Sequence, residues 1–138
     1  MSPMRVARVL LGAVVLAMAG GALLTASTTS EFGAGTLGRA LLGMVGVVGA
    51  VMLWSDHPLW FPVLAAWSAL QIPLLIVDPT GPLTNQCVHV GMAWTRAQRI
   101  NGRITAASGY GFNLAGAALL AWAVLVRRAA PGRTVAVR

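Results

Sequence analysis

Cys87 and His89 stand two residues apart and are the first residues in this chain whose types could do chemistry. A thiol near an imidazole is a fragment of a metal site or of a nucleophile–base pair. Each reading needs more than the pair supplies. A metal wants three or four ligands. The only other histidine, His57, falls in a separate turn that the topology below puts on the opposite side of a membrane. A shared metal, or a haem held by both histidines, is therefore excluded within one chain. Nothing arranges Cys87, His89 and Asp78 as a nucleophile with its base. The sequence predicts no catalytic constellation, no metal and no cofactor, and so a protein that is not an enzyme. The lone cysteine makes no internal disulfide.

Other polar side chains sit where they could hold a ligand. Gln71 falls inside an apolar run, on one helical face with Trp60, Leu64 and Trp67. Asn113 opens a later run among Gly109, Gly111 and Gly116. A polar side chain inside a membrane helix usually faces its neighbours. Gln71 and Asn113 are thus expected to bond helix to helix, or else to point into a small-molecule pocket walled by Trp67. Arg96, Arg99 and Arg103 could hold an anionic ligand or a phospholipid headgroup, with Asp78 as an ion-pair partner. The glycines around 109–111 are not a nucleotide loop, because the strand–turn–helix context and the lysine are missing.

The elements that position these residues follow from composition. The chain has 138 residues, 57% hydrophobic and 9% charged, with a net charge of +7. Soluble domains carry about 25% charged residues, and a chain this short cannot hide so much apolar surface from water. Lipid has to be the solvent. All ten basic residues are arginine. They lie between apolar runs and at the ends, as topology signals do, and not as a nucleic-acid patch. The absence of lysine, with abundant Ala, Gly and Val, suggests a GC-rich prokaryotic genome.

Four stretches suit spans of about 20 residues. They are 6–26, 36–54, 59–77 and 110–126, giving an all-α integral membrane protein, a four-transmembrane-helix bundle in a single membrane domain. Residues 1–26 also fit a cleaved signal, with Arg5 and Arg8 ahead of the apolar run. Ser55-Asp56-His57-Pro58 is a tight turn, with Ser55 or Asp56 as a cap for the third helix. Six arginines flank the two ends (Arg5, Arg8, Arg127, Arg128, Arg133, Arg138) and four lie on the other side (Arg39, Arg96, Arg99, Arg103). Both termini are therefore expected in the cytoplasm of a prokaryotic inner membrane. Residues 127–138 read as a flexible tail.

The loop 78–109 is long for so small a chain, and such loops are usually functional or disordered. Val88, Val90, Met92 and Trp94 alternate with Cys87, His89, Gly91 and Ala93, a period of two. Asn101-Gly102 then suits a type I′ turn, so a small extracytoplasmic β-hairpin is expected. The competing reading is an interfacial helix, since Arg96, Arg99 and Arg103 also fall at helical spacing. Small residues at Ala13, Ala17 and Gly21, and at Gly43, Gly46 and Gly49, predict close helix packing or a dimer face.

No charge lies in the middle of any span, which argues against proton-coupled transport by a monomer. Small multidrug transporters have this size but carry a glutamate in the first helix, and residues 6–26 hold no acid. The segment ARVLLGAVVLAMAGGAL (7–23) is similar to the first helix of DoxX-type four-helix proteins, a likeness too short to transfer any residue's role. The expected function is that of an accessory subunit, scaffold or regulator working through helix–helix association, with itself or another membrane protein. The alternative is a binding or transport module for a small apolar or amphipathic molecule near Trp67, Gln71 and Asn113.

Overall fold

The computed structural model describes residues 2–28, 34–77, 90–100 and 103–129. Among these residues four helices alternate in direction, and a three-stranded sheet is set between the third and the fourth. Helix α1 spans Pro3–Thr28, α2 Ala34–Trp54, α3 Trp60–Leu70 and α4 Leu114–Ala129. Each helix packs on the next, and α1 closes the ring against α4. Two helical stretches, Pro3–Thr28 and Thr36–Trp54, are long and apolar enough to cross a membrane.

Periodicity explains the packing. On α1 the buried residues are Leu11, Gly12, Val15, Ala19 and Ala22, and on α4 Gly116, Leu119, Ala123 and Val126, three or four apart. The glycines of α2 do what their spacing predicts. A Cβ on Gly43 would stand 2.9 Å from the Ala19 carbonyl oxygen, and one on Gly46 2.8 Å from the Ala19 methyl and 2.9 Å from the Trp67 ring. Gly49 likewise gives room to Leu64. On α1 the expectation fails. Ala13, Ala17 and Gly21 are exposed, and nothing lies within 4 Å of a Cβ placed on Gly21. The seam with α2 runs instead along Gly12, Ala19 and Leu23, which face Trp54, Gly46 and Gly43.

The turn after α2 is a Schellman motif. Asp56 takes the left-handed conformation at φ 60°, the His57 amide donates to the Met52 carbonyl at 2.9 Å, and the Asp56 amide donates to Leu53 at 3.4 Å. Arg8 of α1 donates to the Leu53 carbonyl as well and pairs with Asp56 at 3.0 Å. A cation at a helix C-terminus also complements the helix dipole. Asp56 is thus occupied in ending α2, and neither it nor Ser55 caps α3, whose first flanking residue is Leu59 with no side-chain cap. At the same end of the bundle the Arg127 guanidinium lies 4.1 Å above the Phe61 ring. Arg5, Arg8, Arg127 and Arg128 therefore gather at one end.

The helix expected over 59–77 stops at Leu70. Pro73 has no N–H to continue the ladder, and the last turn tightens to i−3 bonds, from Gln71 to Ser68 at 3.1 Å and from Ile72 to Ala69 at 3.1 Å. The chain goes on as strand β1, Pro73–Val77. Strand β2 covers Gly91–Ile100 and β3 Arg103–Asn113, with both outer strands antiparallel to a central β3. The hairpin reading of the loop holds and the interfacial-helix reading does not: Arg96 and Arg99 lie on β2 and Arg103 begins β3. Ile100 pairs with Arg103, so the hairpin reverses across 101–102; the Asn101-Gly102 turn type itself lies outside the described residues. Tyr110–Asn113, expected in the fourth span, belong to β3.

Candidate functional site

The three residues expected at the centre of a site are all fully buried, and they meet where helices give way to strands. Trp67 and Gln71 end α3, and Asn113 ends β3 and starts α4. The Trp67 indole N–H donates to the Leu42 carbonyl of α2 at 2.8 Å. The Gln71 amide donates to the Trp67 carbonyl at 3.3 Å. Asn113 ties three segments together. Its backbone N–H donates to Ile72 at 2.7 Å, and its side-chain oxygen accepts from the Val90 amide at 2.9 Å and from the Ala115 amide at 3.1 Å. The last bond is an N-cap, which satisfies one of the amides left open at a helix start. Leu114 adds a bond to the Val90 carbonyl at 2.7 Å.

Gly116 lets this junction close. A Cβ there would lie 2.9 Å from the Ser68 carbonyl oxygen and 3.1 Å from the Ile72 nitrogen. The chemistry of the cluster is that of a clasp. It holds both helix-to-strand transitions in register and keeps buried backbone groups paired.

The junction lies about halfway along the long helices. Trp67 packs on Gly46 and through it on Ala19, and Ala19 stands about 16 Å above Arg8 at about 1.5 Å of rise per residue. The whole run from Arg8 to Thr28 measures about 30 Å by the same rise, the thickness of a hydrocarbon core. Helix α3 runs about 16 Å and α4 about 24 Å, against about 39 Å for α1 and about 31 Å for α2, so the sheet takes over before the long helices end. Above that level α1 and α2 border an apolar groove of about 690 Å³, lined by Gly20, Leu23, Leu24, Thr36, Leu37 and Ala40 among others. Sequence reasoning missed this groove, since its residues read as ordinary span residues.

The structure does not gather the arginines with the clasp. Arg96 is exposed, further up β2 than Trp94, and Arg99 and Arg103 lie near the far end of the hairpin. Asp78, Cys87 and His89 lie outside the described residues. His57 belongs to the turn at the arginine-bearing end, where its Nδ1 accepts from the Leu59 amide at 3.2 Å. Comparisons with known protein families, with curated proteins and with solved structures gave no match, so nothing about function is carried over from a relative.

Proposed function

We propose that this chain is a four-span membrane subunit that works by associating with another membrane protein or a second copy of itself. The observation that carries this reading is the open apolar groove bordered by the far halves of α1 and α2. Outward-facing side chains along both long helices are apolar, including Val14, Leu16, Leu24, Leu41, Val45 and Val48, a pattern suited to lipid or protein and not to water. The pairs α1–α2 and α3–α4 then cross the bilayer together, the second pair finishing its crossing as a sheet. Edge strands within hydrocarbon need their outward backbone groups covered by protein, and an associating partner supplies that cover. Both termini face the cytoplasm of a prokaryotic inner membrane, in keeping with the arginines at their end.

Small residues let helices approach closely, and Gly20 borders the groove with nothing within 4 Å of an added Cβ. Gly20→Leu is expected to leave the thermal midpoint unchanged in detergent while lowering association at least tenfold, read by native mass spectrometry. A protein found only as an isolated monomer, with no co-purifying chain, sinks the reading. The alternative, a binding or transport module centred on Trp67, Gln71 and Asn113, draws less support, because those side chains are enclosed and bonded within the chain.

A further inference from the structure

The two faces of the hairpin differ. Cross-strand register places Met92 beside Phe112, Trp94 beside Tyr110, and Arg96 beside Ser108 on one face. The opposite face carries Gly91, Ala93, Gly109 and Gly111. On the first face the Trp94 and Tyr110 rings stack with centroids 5.7 Å apart, and Trp94 lies 6.4 Å from Phe112. These rings are not tucked against the helices. Trp94 is 51% and Tyr110 66% exposed, a large aromatic surface to leave in water.

Their height says what covers them. Asn113 bonds Ile72, five residues past Trp67 and so about 7 Å above it, and three residues of strand carry the chain up to about 10 Å further to Tyr110. That puts the Trp94–Tyr110 pair about 33 Å from the level of Arg8, at the boundary of a core about 30 Å thick. The order along the face is apolar, aromatic, then cationic. Met92 and Phe112 come first, Trp94 and Tyr110 next, and the exposed Arg96 beyond them. Amphipathic rings favour the boundary between acyl chains and headgroups, and an arginine just outside it meets phosphate.

We propose that this face lies against phospholipid of the leaflet remote from the arginine-bearing end, with Trp94 and Tyr110 at the acyl–headgroup boundary and Arg96 on a headgroup phosphate. Charge complementarity selects anionic lipid. The edges of the sheet still need protein, but this face does not. The inference rests on the membrane reading above.

The test is depth-dependent fluorescence quenching of the intact protein in phosphatidylcholine–phosphatidylglycerol vesicles. The emission lost in Trp94→Phe isolates Trp94 from the other four tryptophans. Acyl chains brominated near the glycerol should quench that component at least twofold more than chains brominated near the methyl end. Quenching of Trp94 only by aqueous acrylamide, or by neither kind of probe, overturns the proposal. The emission that remains in Trp94→Phe should be quenched by deep bromines whatever Trp94 does. Its failure to respond would reject the membrane reading itself and so separates the two. Raising the phosphatidylglycerol share should strengthen shallow quenching of Trp94, and Arg96→Gln should remove that dependence. A dependence unchanged in Arg96→Gln, or reproduced by inorganic phosphate with neutral vesicles, overturns the headgroup assignment.

Discussion

The halves of the molecule on either side of Trp67, Gln71 and Asn113 satisfy their backbones by different means. Toward the arginine-bearing end all four helices are present, every helix pairs its own amides, and small residues bring the axes close. Beyond the clasp two helices continue, while the other two are replaced by strands that must find partners across the sheet. Both halves leave large apolar side chains exposed, Trp54 and Leu125 in the first and Trp94 and Tyr110 in the second. The difference teaches that an apolar run of span length need not be one helix. A proline two residues past Gln71, and a partner strand ending at Asn113, are enough to divert it.

The comparison is broken most forcefully at Gly46. A leucine there would overlap Ala19 and Trp67, and overpacking of this kind costs about 2–3 kcal/mol. The thermal midpoint in detergent should fall sharply, and an unchanged midpoint would show that α1, α2 and α3 do not meet as described. At the clasp, Asn113→Leu removes the acceptor for the Val90 and Ala115 amides. Partly buried donors left unpaired cost roughly 1 kcal/mol. Hydrogen exchange should then rise at Val90 and Ala115 before it rises in α1, and a uniform rise would mean that the halves are not separable. The smallest effect belongs to Asp56→Asn. The Asp56 side chain is 70% exposed in its pair with Arg8, and asparagine also tolerates the left-handed conformation. The change in stability should stay under about 0.5 kcal/mol by chemical denaturation. A larger loss would mean that the turn after α2 depends on the ion pair more than on its backbone bonds.

Much of the arrangement was legible from particular residues. Gly43, Gly46 and Gly49 announced a close helix contact because no side chain competes with the approach. The alternation through Met92 and Trp94, with Asn101-Gly102 after it, announced strands and a reversal. The exposed Ala13, Ala17 and Gly21 misled, because small residues permit contact without specifying which neighbour fills the space. The capping role expected of Ser55 or Asp56 also misled, since a turn residue can end one helix or start the next and its dihedrals decide which.

The sequence by itself determined that this chain is apolar, arginine-flanked and divided into four stretches, because hydropathy and charge act locally and need no partner to be read. It also marked Gln71 and Asn113 as polar groups that must be bonded. Only the tertiary structure decided that their bonds form a clasp, that the third stretch changes from helix to strand, and that the face bearing Trp94 and Tyr110 is left uncovered. Those outcomes depend on which strand reaches Pro73–Val77, and strand pairing joins residues far apart in the chain. A helix carries its hydrogen-bond partners in its own sequence; a strand does not.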